Sequence, residues 1–275
     1  MKLTKNTIMN TPLHPTQVGV WYLGQEGILL KSSNGFLAVD PYLSDYVDQN
    51  CCRYVSWQRL YQPPVDAEAL DFLNLVLCTH GHYDHADPIT LPRIAATNPN
   101  TRFVVPVPEV DTVAGYGIAK ARIVPAVAHE ILKLDGFEIL PIPAAHETLT
   151  TDENGNYAAL GYVIRTGGKT FFHAGDMCMY DGLIETLKPL RVDMAFLPIN
   201  GRDYFRNRDD IIGNFNCEEA VLLAKAIGAD TLVPLHHDLY AVNRVRTAHF
   251  VDAVETLDPY RKYHIFAPGE LYIKE

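Results

Sequence analysis

The apolar run Leu75-Val76-Leu77-Cys78 passes without transition into Thr79-His80-Gly81-His82-Tyr83-Asp84-His85, and this junction constrains the chain more than any other feature. A short apolar run with polar flanks reads as a buried strand, and the residues after it as a loop delivered to the edge of a sheet. Four side chains of metal-ligand type, His80, His82, Asp84 and His85, are packed into that loop. A helix would spread His80 and His82 onto different faces, and a strand would turn His85 away from the other three. A loop wrapped around an ion satisfies all four. A lone buried histidine is usually hydrogen-bonded within the core, but three imidazoles and a carboxylate crowded together are electrostatically awkward without a cation. Their donors suit zinc, manganese or iron, and a mixed set can hold two ions side by side.

The rest of the chain is read as one domain over residues 18–275, preceded by a polar leader over residues 1–17, with no repeat, low-complexity tract or Gly/Ser linker. Strand-like runs at Val18 to Leu23, Ile28 to Lys31 and Phe36 to Val39, punctuated by Gly24, Gly27 and Asn34-Gly35, predict an antiparallel meander. Further strands are expected at Arg102 to Val105, Phe137 to Ile142, Tyr157 to Arg165, Lys169 to His173, Met194 to Leu197 and Thr231 to Pro234. Helices are expected at Ile89 to Ala96, Tyr180 to Leu187, Cys217 to Ala226 and Thr247 to Thr256, the third opened by Asn216 as N-cap with Glu218 and Glu219 in its first turn. Strands first, then strands mixed with helices, point to an α/β sandwich: two packed sheets with helices outside.

Acidic residues outnumber basic ones 33 to 23, a formal charge of −10, which disfavours nucleic acid as a partner. Five cysteines without a C-x-x-C pair do not read as a disulfide framework, no apolar run is long enough to span a membrane, and the leader has no signal-peptide core. A cytoplasmic protein is expected.

The segment Thr79 to His85 resembles the T-H-x-H-x-D-H signature of the metallo-β-lactamase superfamily. Other landmarks follow in the family's order: Ala144-Ala145-His146-Glu147, Phe172-His173-Ala174-Gly175-Asp176 and Pro234-Leu235-His236-His237-Asp238. The resemblance implies an αββα sandwich of two mixed sheets packed face to face. It also implies two divalent ions, zinc or manganese with iron admitted. Carried over residue by residue, His80, His82 and His146 would hold one ion, Asp84, His85 and His236 the other, and Asp176 would bridge them. His237 competes with His236 and otherwise joins Asp238 around the substrate or behind the ligands. Asp40 resembles the aspartate that supports the histidine loop from behind, although Asp40-Pro41 also reads as a turn. His173 alternates with Phe172 and Ala174 and is left off the ligand set.

A water shared by two ions would lose a proton near neutral pH and supply hydroxide as nucleophile, with Asp84 implied as the later proton acceptor. Trp21 to Ile28 and Pro234 to Tyr240 are similar to the ascorbate-6-phosphate lactonase branch, which implies a small anionic lactone or ester. The segment Asn200 to Arg208 gathers three arginines, of which Arg202 is the anion-binding candidate. The alternative within the fold is a phosphodiesterase or ribonuclease. A flavodiiron-type oxidoreductase and a structural metal protein are the readings from other classes. The sequence leaves oligomeric state open, a homo-oligomer included.

Overall fold

A computed structural model describes residues 2–52 and 56–275, so Met1 of the leader lies outside the described residues. Strands β1 (Val18–Gly24), β2 (Gly27–Ser32), β3 (Gly35–Val39), β4 (Leu75–Leu77), β5 (Arg102–Pro106) and β6 (Ile123–Ala126) follow one another across one sheet. A second sheet is built from β7 (Leu132–Leu134), β8 (Phe137–Pro143), β9 (Leu160–Thr166), β10 (Lys169–His173), β11 (Met194–Pro198), β12 (Thr231–Leu235) and β13 (Lys262–Tyr263). The chain then returns to the first sheet, where β14 (Leu271–Lys274) pairs with β1. Both sheets are mixed. The β1-β2-β3 meander is antiparallel as its turn residues predict, whereas β3, β4, β5 and β6 run parallel. In the second sheet β7 to β10 are antiparallel neighbours and β10 to β13 are parallel.

The alternation of side chains along each strand sorts them into layers. Val18, Val20 and Tyr22 of β1 point inward with Leu37 and Val39 of β3, and meet Tyr162, Ile164, Phe171 and Phe196 of the second sheet. Trp21 and Leu23 point the other way, toward α1 (Lys5–Asn10), α3 (Thr90–Thr97) and α4 (Val110–Gly115). The short α2 (Tyr46–Asn50) instead packs Val47 against Tyr42, Leu239 and Tyr240. On the far side α5 (Leu183–Leu187), α7 (Cys217–Ile227) and α8 (Thr247–Leu257) cover the second sheet, while α6 (Tyr204–Arg208) buries no residue. The result is the αββα sandwich.

Three local expectations change. The helix expected from Tyr180 begins at Leu183, because Gly182 is in the left-handed conformation (φ 95°) and the Tyr180 hydroxyl donates to the Pro143 carbonyl at 2.7 Å. The strand expected from Tyr157 begins at Leu160, whose N–H donates to Thr79 O at 2.8 Å and ties β9 to the histidine loop. The loop expected at Asn200 to Arg208 contains α6, since Asp203 accepts from the N–H groups of Phe205 and Arg206 as an N-cap. The leader is not wholly apart from the domain, since Ile8 of α1 is fully buried. For α7 the Asn216 cap forms, with Glu219 reaching back to complete a capping box, a device that stabilises by about 1 kcal/mol. Among the described residues no helix is long and apolar enough to cross a membrane.

Candidate metal centre

Pairing directions make β1, β3 and β4 run alike in the first sheet and β8, β10 and β12 run alike in the second, and the donor groups that follow them join the two sets of carboxyl ends at one end of the sandwich. Each is followed there by a loop bearing a polar residue of the site: Gln25, Asp40, His80 to His85, His146, Asp176 and His236 in turn. Carboxyl ends of parallel strands are where open α/β sheets place ligands. The turns are sharp, and Gln25, Asp40, Glu147 and His236 all have positive φ. Gly175 is required for a similar reason: with φ 61°, it lies so near Thr79 that an added Cβ would sit 2.7 Å from the threonine Cβ.

Two groups of donors result. His80, His82, His146 and Asp176 form one, and Asp84, His85 and His236 the other, the donor atoms of each lying within 4.8 Å of one another. Asp176 stands between them, with Oδ2 3.6 Å from His146 Nε2, and Oδ1 3.4 Å from His85 Nε2 and 3.3 Å from His236 Nε2. His236, not His237, is the residue brought into the cluster. His237 is buried behind it, with its carbonyl accepting from Val245 N at 3.0 Å. Asp238 accepts from the hydroxyls of Tyr22 and Tyr61 at 2.9 and 2.7 Å. His173 faces away, with Nε2 2.8 Å from the Glu26 carbonyl oxygen.

Asp40 is fully buried and organises the histidine loop through two partners. Its carboxylate accepts from Thr79 N and Thr79 Oγ1, and from His85 Nδ1 at 2.7 Å. Having donated its own proton to Asp40, the Thr79 hydroxyl is left as acceptor for His80 Nδ1 at 3.1 Å. Both imidazoles are thereby fixed in the tautomer whose lone pair is on Nε2. Yet His80 Nε2, His85 Nε2 and Asp176 Oδ1 are buried without any hydrogen-bond partner. Buried polar atoms are rarely left so. Nitrogen lone pairs and carboxylate oxygens turned inward on one another fit divalent cations, and the residues present therefore suit the two ions.

Electrostatics agree with that fit at His80 and His146; at His85 burial works in the same direction, but Asp176, Asp84 and Asp40 outweigh it and lift the imidazole well above the usual histidine range, so an ion there would replace a proton on Nε2. Burial pulls the His80 imidazole well below the usual histidine range and brings His146 down to about 4, so both offer neutral nitrogens at pH 7. Burial alone would raise the Asp176 and Asp84 carboxyls, but the surrounding histidines, His236 and His85 foremost, outweigh it and keep both ionised.

One residue of the site carries no metal-ligand signature. Gln25 is buried, and its side-chain amide nitrogen lies 2.8 Å from Asp84 Oδ2 and 3.1 Å from His236 Nε2, while its backbone carbonyl accepts from His236 N at 3.0 Å. The only sequence signal for it is a polar pair, Gln25-Glu26, held between Gly24 and Gly27 where a hairpin turn is expected. Arg202 stands apart from the cluster. Its guanidinium is bidentate to Glu219, at 2.6 and 2.8 Å, and donates to Asn214 O, and it does not line the cavity over the cluster. The capping-box carboxylate of Glu219 thus pairs with the arginine expected to bind an anion.

That cavity, of about 650 Å³, opens over His82, Asp84, His146, Asp176 and His236. A second cleft of about 730 Å³, beside Lys2, Tyr61 and Arg93, contains no residue of either donor group.

The model of the beta-lactamase superfamily domain matches residues 37–237. A metal-dependent hydrolase of Methanoculleus marisnigri is 28% identical over 203 residues, covering 72% of this chain and 80% of its own length. A protein described as a probable L-ascorbate-6-phosphate lactonase of Escherichia coli is 24% identical, covering 82% and 71%. Among solved structures, the metallo hydrolase Igni18 of Ignicoccus hospitalis superposes with a TM-score of 0.69 at 22% identity, covering 94% of this chain and 99% of that one.

Proposed function

We propose that this chain, which belongs to the beta-lactamase superfamily domain family, is a metal-dependent hydrolase that opens a small lactone or related ester. The observation that most supports hydrolysis at this centre is the pair of stranded nitrogens, His80 Nε2 and His85 Nε2, turned toward Asp176 with their Nδ1 protons already committed. His80, His82, His146 and Asp176 would hold one ion, and Asp84, His85 and His236 the other, with Asp176 reaching both. When bound, the ions supply positive charge for the carbonyl oxygen and acidify water, so that hydroxide is available near neutral pH.

The chain's own groups do the rest. Hydroxide oxygen bonds to the carbonyl carbon, the carbon–oxygen bond of the ester breaks, and the departing alkoxide takes the proton that the attacking hydroxide brought. Asp84, kept ionised by His85 and His236, would relay that proton, and the Gln25 amide fixes its Oδ2. Tyr22, Tyr61 and Asp238 hold the Gln25 turn in place, since Tyr22 also donates to the Gln25 carbonyl at 3.2 Å.

Chelator-stripped protein reloaded with zinc or manganese, assayed against a panel of lactones and a phosphodiester reporter, tests this reading. Metal-dependent turnover is expected, fastest on a lactone or ester. Faster cleavage of the diester would replace it with the phosphodiesterase alternative, and equal activity in the stripped protein would abolish it.

A further inference from the structure

Resting on the hydrolase reading, we propose that the substrate is an uncharged lactone or ester with a flat apolar body, and that phosphorylated counterparts are turned away at the cavity mouth. Aromatic and branched side chains stand over the metal centre among polar ones such as Asn50 and Asn243. Tyr46 and Tyr83 meet edge to face at 4.9 Å, and Trp57 is set edge-on against Tyr240 at 5.2 Å. Opposite them stand Ile211 and Ile212. Rings and branched side chains facing a cleft gain by removing apolar surface from water, and planar groups stack against them.

The rim has the opposite character from a phosphate site. Asp209 and Asp210 both line the cavity, and no lysine or arginine does so among the described residues. The arginines of the neighbouring segment are spent elsewhere. Arg202 is held by Glu219, and Arg206 by Asp203 and Asn243. Arg208 lies 3.3 Å from Asp209 and shares that carboxylate. Asp210 has no side-chain partner among the described residues and is set in place by a left-handed backbone (φ 58°) with its N–H on Asn207 O. A phosphate dianion is recognised by guanidinium or ammonium groups and by free N–H donors. Here it would meet the Asp210 carboxylate, which has no side-chain partner among the described residues, on a chain of formal charge −10.

The full-length, metal-loaded protein tests this with two probes, dihydrocoumarin as the neutral aryl lactone and 6-phosphoglucono-lactone as the anionic one. The chain has two tryptophans, and Trp21 is only 1% exposed, so ligand-dependent quenching of emission reports Trp57 in the cavity. Dihydrocoumarin is expected to quench and to show kcat/KM at least tenfold above the phosphorylated lactone. The double substitution Asp209→Asn with Asp210→Asn is expected to narrow that ratio, most at low ionic strength, where screening is weakest. Trp57→Leu removes the quenching signal and raises KM for dihydrocoumarin. Preferred binding or turnover of the phosphorylated lactone overturns the proposal, as does quenching by neither probe. Binding of dihydrocoumarin without turnover of any lactone or ester leaves the substrate class standing and removes the hydrolase reading instead.

Discussion

Asp40 accepts a hydrogen bond from His85 Nδ1 at 2.7 Å, with both side chains fully excluded from solvent, so a residue just past the first sheet's third strand decides which nitrogen of a histidine 45 positions later is free. Replacing the carboxylate by an amide removes the charge that anchors the Nδ1 proton and can present an N–H where an acceptor is required. Asp40→Asn is expected to lower divalent-metal affinity about 10- to 100-fold, as loss of such supporting carboxylates typically does. Competition with a chromogenic chelator measures it. Unchanged affinity would mean that Asp40 serves only the turn before Pro41.

Removing the ions leaves inward-facing nitrogens and carboxylates without partners. Stripped protein is expected to melt at a lower temperature than reloaded protein, and the gap should grow with free metal concentration because binding stabilises only the folded chain. Calorimetry across a zinc or manganese titration gives the slope. A melting temperature indifferent to metal would argue against both donor groups as ion sites.

Gln25 touches Asp84 and His236 but has no lone pair aimed at an ion through its amide nitrogen. Gln25→Ala is expected to cut kcat about 10-fold or more with metal content near that of the parent, the magnitude usual for groups that orient ligands. Gln25→Glu should be worse, since it sets a second carboxylate against Asp84. Steady-state kinetics beside elemental analysis separate this from simple loss of metal.

Asp230 gives a pH-dependent prediction far from the site. The Lys274 ammonium, with Lys262 beside it, brings this carboxyl down from 3.8 to about 2. A folded pKa below the unfolded value contributes stability that is present above about pH 4 and lost as pH falls through about 2. The carboxylate is 43% exposed, so solvent screening limits its worth to about 0.5–1 kcal/mol. Urea denaturation of Asp230→Asn should show that deficit at pH 7 and little difference from the parent near pH 2. A deficit independent of pH would point to packing rather than charge.

Much of this was legible before the fold was known. Strands such as Val18 to Leu23 and Met194 to Leu197 are buried on both faces, so they stand out as apolar runs. The histidine loop was legible because four donor residues in one loop have few other uses. His146, Asp176 and His236 were reached only through the family's motif order, because residues that converge from separate strands leave no local spacing to read. Other features are set by partners distant in sequence. Arg202 looked available because Glu219, its partner, lies on the next helix. Helix α6 is five residues long and buries none of them, so no apolar period announces it. The cavity walls come from α2, Trp57 and the Asp209 to Ile212 segment, none of which contains a chemical motif.

Each donor group draws from both sheets: His80, His82, Asp84 and His85 follow β4 of the first, and His146, Asp176 and His236 follow strands of the second. Two ions there would act as rivets through one end of the sandwich, while Lys274 on β14 and Asp230 just before β12 clasp the opposite end. The segments lining the cavity mouth lie outside both fastenings. Substitutions there would leave the reactive end in register, so the choice of substrate can be altered without disturbing what holds the ions.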